Sequence, residues 1–419
     1  MATKLQMTSS RIPEICIPPI ERSPRSTSVK TNDSQAGDHV IGAFVGKPSG
    51  PTLIVIGSLH GNEPGGAAAL AHISGDLDRL TNKLKGRVYF LVGNTRALCA
   101  GSRFIDTDLN RGWTSHNMSA AGPESLFSKT TEGVELAELD QILDSILITA
   151  MDEVFVLDLH STSSEGMPFA TVGDTLRNRK FAQAFPVPIL LGIEEQLEGT
   201  MLEYLNNLGA VTLGFEGGQH LSAETVENHK AMAWLALKNA GILDEADVPE
   251  LGKHMQRFSH ENYKGRIFEI RYRHAISPDD AFVMKPGFNN FDVVNRGDFV
   301  ADDRNGPVAI TEPGVMLMPL YQKLGEDGFF IGREIFPFWL RLSGFLRRIG
   351  IQKLIHILPG VRRNPDDAAT LIVDTRVARL FPLQIFHLLG FRRRRWVGKN
   401  LIVSRRRHDT AGPFKWKDK

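Results

Sequence analysis

Four stretches of the chain close an apolar run with side chains that can hold a cation, move a proton or grip an anion. The first is Gly57-Ser58-Leu59-His60-Gly61-Asn62-Glu63-Pro64. His60 and Glu63 lie three apart where a strand ends and Pro64 opens a helix. They can converge above the strand's C-terminal end, where open α/β sheets form their sites. An imidazole and a carboxylate suit two of zinc's positions. The second stretch is Val154 to Thr162, in which Asp158 and His160 close an apolar strand and point to one face. His160 can supply a third ligand, and Asp158 can accept the free N–H of a ligating imidazole. The blander reading makes Asp158 a turn cap and His160 a satisfied core histidine.

The third stretch is Thr212 to His220, where Glu216 ends another apolar run. A carboxylate so placed can act as general base toward water and then as general acid, or can simply form a turn before Gly217-Gly218. The fourth runs from Asn94 to Arg111 and holds Arg103, Asn110 and Arg111 in a glycine-bounded loop. Guanidinium groups there suit a carboxylate or a developing oxyanion. Arg96, Asp106 and Asp108 read as solvated loop residues with local ion pairs. Three protein ligands leave zinc an open position for water, the mark of a catalytic site.

The elements that must position these residues are legible between them. Thr52–Gly57, Arg87–Gly93, Val154–Leu159 and Val211–Phe215 read as buried strands. Leu136, Leu139, Leu143 and Ile146 recur at helical spacing, as do Val226, Ala233 and Leu237 ahead of a terminating Gly241. Alternating strands and helices predict an α/β sandwich on a largely parallel or mixed sheet. After about Lys253 the texture changes. Phe268, Ile270 and Tyr272 alternate with charged residues, and Gly and Pro punctuate short runs as far as Glu334, which reads as a small, mostly β domain.

Composition narrows the function classes. The 419 residues include 49 Lys+Arg and 48 Asp+Glu, and 42% are apolar, the profile of a soluble globular chain of two to three domains. Only Cys16 and Cys99 are present, which excludes a disulfide framework or a Cys-built zinc finger and leaves any metal to His and carboxylates. No apolar run reaches the ~20 residues of a spanning helix. Met1 to Asp33 lacks an apolar signal core, so a cytoplasmic location is expected. The charge is uneven: Arg341 to Lys419 holds 19 Lys+Arg against 5 Asp+Glu, a net +14 that leaves −13 for residues 1–340 of a chain whose total is +1. Arg392–Arg395 and Arg405–Arg407 lie among Phe391, Trp396 and Trp416. The apolar Phe381–Leu389 should pack on the protein, and docking of this basic extension on the acidic body is the leading reading. Binding of nucleic acid or an anionic membrane ranks behind it.

In combination and order, His60-Gly61-Asn62-Glu63, Arg103 with Asp108-Leu109-Asn110-Arg111, Asp158-Leu159-His160 and Glu216 make the chain resemble the succinylglutamate desuccinylase/aspartoacylase family. The resemblance covers roughly residues 40–335. It implies a zinc-carboxypeptidase-like mixed-sheet sandwich in residues 39–250, after a flexible segment 1–38. A small β domain (251–337) and a basic C-terminal extension (338–419) would follow. It implies Zn2+ held by His60, Glu63 and His160, and Glu216 activating water. Arg103 would steady the oxyanion, and Asn110 with Arg111 would hold a substrate carboxylate. The expected activity is cleavage of the amide of a small N-acyl amino acid, with a homo-oligomer compatible with the sequence. The alternatives are a carboxypeptidase-like peptidase or esterase with the same centre, and a metal-containing binding or scaffold protein acting through its tail. Two features depart from the aspartoacylase pattern. Met201 to Phe215 holds no arginine, and Gly325 to Phe330 offers Phe329 and Phe330 where a tyrosine would stand. Both remove polar grips on an acetyl-aspartate-like substrate.

Overall fold

β-Branched and aromatic runs become strands where both of their faces can be covered, and the body of the molecule is built on that rule. The computed structural model describes residues 38–118, 126–259, 263, 265–322, 324–365, 367, 369–374, 376, 383–397 and 400–413. Residues 1–37, Phe381, Pro382 and Trp416, and the side chains of residues 393–396, lie outside that set.

The body runs through β1 (Val40–Val45), β2 (Thr52–Gly57), α1 (Gly65–Arg79), β3 (Arg87–Val92), α2 (Thr95–Ala100), α3 (Ser115–Met118) and α4 (Thr131–Thr149). It continues with β4 (Val154–Thr162), β5 (Phe169–Val172), α5 (Leu176–Ala182), β6 (Ile189–Leu191), α6 (Met201–Leu208), β7 (Val211–Gln219), α7 (Ala223–Asn239) and α8 (Leu251–Arg257). Then come β8 (Ile267–Ala275), β9 (Val283–Met284), β10 (Val293–Val294), β11 (Phe299–Asp303), β12 (Gly306–Ala309), β13 (Gly314–Leu317) and β14 (Asp327–Glu334). The extension carries α9 (Pro337–Arg348), β15 (Val361–Arg363), β16 (Thr370–Asp374), α10 (Leu383–Leu388), β17 (Arg393–Val397) and β18 (Asn400–Ser404).

Eleven strands form one sheet in the order β1-β3-β2-β4-β7-β5-β6-β8-β14-β13-β10. β2 pairs in parallel with β3 and β4, and β4 with β7, while β1 and β5 run antiparallel to their neighbours β3 and β7. The mixed α/β architecture expected from the alternation of elements is therefore the one observed. β8 pairs in parallel with β6, so the same sheet carries on into the later, strand-rich part of the chain. Two smaller sheets follow, β12-β11-β9 and β15-β16-β18-β17.

Residue alternation along β2 sends successive side chains to opposite layers. Leu53 and Val55 pack with Leu70, Ile73 and Leu77 of α1 and Trp234 and Leu237 of α7. Ile54 and Ile56 pack with Leu139, Leu143 and Ile146 of α4 and Leu205 of α6. Each such fully buried aliphatic side chain contributes about 1.5–3 kcal/mol, which anchors the strand ends that carry the polar residues. Gly241, at φ +72°, ends α7 in the left-handed conformation that glycine adopts without strain. No helix among the described residues is long and apolar enough to cross a membrane.

The extension docks on the body through buried ion pairs. Asp174, in the loop after β5, accepts from Nη2 of Arg179 of α5 at 2.8 Å, from Nη1 of Arg347 of α9 at 2.9 Å, and from Arg392. Burial opposes the charge of Asp174, but the three guanidinium groups hold its carboxyl well below the usual range. Arg347 also pairs with Asp409, and Arg392 with Glu269. Arg406 reaches Glu194 and Glu195 at 3.1 Å each. Arginines that could have faced a polyanion are thus used internally.

Candidate functional site

The C-terminal ends of the parallel strands carry the polar residues, and each is fixed by local chemistry. Ser58, just past β2, is fully buried and sits at φ +58°, a conformation that costs on the order of 1–3 kcal/mol for a non-glycine residue. Its hydroxyl donates to the Glu63 carbonyl at 2.9 Å, which closes the turn that presents His60 and Glu63. Gly61 lies so near α2 that a Cβ would fall 2.0 Å from the Ala97 carbonyl carbon, so no larger residue fits there. Its N–H donates to the Arg103 carbonyl at 3.2 Å and ties this turn to the arginine loop. That loop is held in turn by Glu132 of α4. The fully buried Glu132 carboxylate accepts from the backbone N–H groups of Ile105, Asp106 and Thr107 at 2.8, 3.0 and 3.1 Å.

Glu63 is the hub. Its Oε1 lies 2.9 Å from His60 Nδ1 and its Oε2 3.2 Å from His160 Nδ1. Oε2 also accepts from the Ser161 N–H at 2.8 Å. Burial opposes its ionisation, yet the two imidazoles hold its carboxyl well below the usual range. Each histidine turns its other nitrogen to an aspartate: His160 Nε2 lies 2.8 Å from Asp158, and His60 Nε2 lies 3.2 Å from Asp108. Burial alone would lower the His160 pKa, but Asp158 and Glu63 raise it well above the ordinary imidazole value. The His160 carbonyl lies 2.9 Å from Nε2 of His229 on α7, which pins the strand end from behind.

One donor atom from each of His60, Glu63 and His160 lies within 4.8 Å of the other two. Two imidazole nitrogens and a carboxylate oxygen facing one point, with both outer nitrogens taken by carboxylates, fit a zinc-type site with an open position. His39, Glu135 and Glu138 are similarly close, but Arg96 donates to both glutamates at 2.7 and 2.8 Å and already supplies the cation there.

Glu216 stands across the strand pair from His160, in direct register. It is buried, and its Oε2 has no hydrogen-bond partner among the described residues. Burial, reinforced by the charges of Glu63 and Asp158 and opposed by His160 and Arg103, pushes its carboxyl up to about 8. Arg103 places Nη2 3.1 Å from Asp108 and Nη1 3.6 Å from Glu63. Its Nη2 is also 3.0 Å from His60 Nε2. His60, Glu63, Arg103, Asp158, His160 and Glu216 line a cavity of ≈ 140 Å³, with Asn110 and Arg111 on its wall.

The structure therefore brings all eight sequence-derived residues to one place, with different degrees of commitment. The Asn110 side-chain oxygen accepts from Met201 N at 2.9 Å and caps the start of α6. Arg111 donates through Nε to Glu326 at 3.1 Å and lies 3.7 Å from Asp327. Of the two phenylalanines, Phe330 lines the cavity, whereas Phe329 packs against His274 and Phe282. Asp108, read from sequence as a solvated loop residue, is 9% exposed and touches both His60 and Arg103. Sequence reasoning also passed over His220, which lies 2.8 Å from Ser161 Oγ and 3.1 Å from Gln322, and over Glu194. Burial, opposed by Arg406, pushes Glu194 up to about 7 on the cavity wall. The position of Asp108 two residues before Asn110 was the available signal. Glu194 had none beyond following an apolar run.

Residues 49–237 match the family model described as the succinylglutamate desuccinylase/aspartoacylase catalytic domain. Over 115 residues the chain is 29% identical to a succinylglutamate desuccinylase of Pseudomonas fluorescens (strain SBW25), covering 27% of this chain and 32% of that protein. It thus spans about a third of that relative's length. Over 269 residues it is 26% identical to an N-acyl-aromatic-L-amino acid amidohydrolase (carboxylate-forming) of Xenopus laevis, covering 59% of this chain and 84% of that one. Among solved structures, a succinylglutamate desuccinylase/aspartoacylase from Rhodobacter sphaeroides superimposes with a TM-score of 0.53 at 18% identity, covering 70% and 88% of the two chains. A product-bound ectoine utilization protein EutE (DoeB) from Ruegeria pomeroyi gives 0.50 at 21% identity, covering 70% and 87%. At these identities the structural likeness establishes the fold.

Proposed function

Because the chain belongs to the succinylglutamate desuccinylase/aspartoacylase family, we propose that it is a metal-dependent hydrolase that releases the amine from an N-acyl amino acid. His60, Glu63 and His160 would hold the metal, and the donor set favours zinc. When bound, the metal would supply Lewis acidity to a water and to the acyl carbonyl. Glu216 would take the proton from the attacking water as its oxygen adds to the acyl carbon, and would deliver it to the amine nitrogen as the C–N bond breaks, so a carboxylate and a free amine leave. Arg103 donates to the former carbonyl oxygen as negative charge develops on it. Asp108 and Asp158 fix the tautomers of His60 and His160 and keep their Nδ1 lone pairs directed inward. The observation that carries this reading is the shared carboxylate of Glu63, faced by one nitrogen from each histidine.

The walls of the cavity point to the substrate. Ile193, Leu197, Leu202, Met318, Leu320 and Phe330 line it, and Arg111 is already engaged by Glu326. Such a surface favours an N-acyl amino acid with an apolar or aromatic portion over one with a second carboxylate, consistent with the missing arginine and tyrosine. Primary-amine release from N-acetyl and N-succinyl derivatives of aromatic, aliphatic and acidic amino acids tests this. The expected kcat/KM for the apolar members exceeds that for the acidic ones about tenfold or more. Preference for acidic members would contradict the substrate assignment, and no amine from any member would contradict the activity.

A further inference from the structure

Helix α9 carries its side chains in the reverse of the usual surface arrangement. Ser343, Gly344 and Arg347 face inward and are buried, whereas Phe338, Trp339 and Phe345 face outward at 64%, 51% and 58% exposure. Phe336 before the helix and Ile349, Leu354 and Ile357 after it are exposed as well. Phe338, Phe345 and Ile349 are spaced seven and four apart and form one stripe, and Arg341 and Arg348 fall on the same side. Exposed Arg333, Lys353, Arg362 and Arg363 lie along the same stretch of chain, whose exposed Glu334 is paired with Arg266. Beneath Phe336 and Trp339 lies a groove of ≈ 550 Å³, also lined by Leu340, Arg271 and Arg333.

We propose that α9 and the two short turns after it, Ile351–Lys353 and Ile355–Ile357, form a docking surface for an anionic phospholipid bilayer. Aromatic side chains seat at headgroup depth, aliphatic ones reach below it, and arginines meet the phosphates. Charge complementarity selects this occupant. A second copy meeting the first across a two-fold axis would oppose one basic rim to another. Nucleic acid would gain little from Ile349, Leu354 and Ile357. Exposed apolar patches of this kind on a folded surface mark interaction sites. No described helix is long and apolar enough to cross a membrane, and the contact proposed here is peripheral.

Cosedimentation of the full chain with vesicles tests the proposal. The protein should pellet with phosphatidylglycerol-containing vesicles at low salt, not with phosphatidylcholine alone, and should be released as salt rises. Phe338→Ser combined with Phe345→Ser should weaken binding at least about tenfold with an unchanged circular dichroism spectrum. Arg341→Glu with Arg348→Glu leaves the aromatic stripe intact and should also abolish anionic binding, so the proposal stays testable if the first variant does not fold. Absence of anionic binding would overturn it, as would binding indifferent to both variants. Lipid-free dimerisation lost in the aromatic variant would assign the face to a second copy. Binding of duplex DNA in place of vesicles would assign the arginines to nucleic acid.

Discussion

Asp108 Oδ1 lies 3.2 Å from His60 Nε2, and this contact repeats the one that Asp158 makes with His160. The two histidines are thus held alike, one by a neighbour two residues away on the same strand, the other by a loop residue 48 positions distant. Replacing either aspartate by asparagine keeps its volume but allows the wrong imidazole tautomer. Asp108→Asn and Asp158→Asn should each weaken zinc binding about 10–100-fold, measured by chelator competition. Equal affinity in all three proteins would show that the contacts are incidental.

Glu216 has a different task, so its loss should separate binding from turnover. Glu216→Gln should retain metal content and fold while kcat drops about 10²–10⁴-fold, the range of a removed general acid–base group. Metal analysis and initial rates on the same preparation check both halves.

Glu132 is not among the metal-site residues and holds the arginine loop through three backbone N–H groups and the Asn94 side-chain amide. Glu132→Ala would leave those donors unsatisfied at a cost of about 1–3 kcal/mol each if they remain buried. The loop should shift, and with it Arg103 and Asp108, so kcat/KM and zinc affinity should fall together. Hydrogen exchange at residues 105–107 reports the release directly.

The Asp174 cluster predicts a pH dependence of stability. Its folded carboxyl titrates well below the ordinary carboxylate value, so its stabilising charge is fully present above that value and is lost as pH falls toward the folded one. Urea unfolding of the wild type should weaken as pH is lowered from about 5 to 3, whereas Asp174→Asn, less stable throughout, should show a shallower decline. At neutral pH, Arg347→Met should destabilise by about 3–5 kcal/mol, because it leaves Asp174 and Asp409 buried with fewer partners.

How much of this was legible follows from what each residue needs. β2 and the apolar beginnings of β3, β4 and β7 read clearly because strands covered on both faces are continuous apolar runs. The tips of β4 and β7 did not read as strand. His160 to Thr162 and Glu216 to Gln219 hold no large apolar residue, and pairing with each other, with β5 beside Glu216, keeps them extended. Alternation marked Phe268 to Arg273 as a strand, within the observed Ile267–Ala275, but nothing in it names β6 as its partner. His60, Glu63, His160 and Glu216 were visible as chemistry at strand ends. Asp108 was not, because an acid in a loop has many uses and its partner lies far away in sequence. The basic extension was visible as charge and one apolar run, which pointed to docking but not to its ion pairs. That Arg347, Arg392 and Arg406 turn inward while Phe338 and Phe345 turn outward depends on which acids the folded body leaves buried beneath them.

The most direct test is amine release from an N-acyl amino acid by the protein as isolated, after chelation, and after zinc is returned. The account predicts loss on chelation, recovery with zinc, and no recovery in His160→Ala. Amine release that persists after complete metal removal would contradict it.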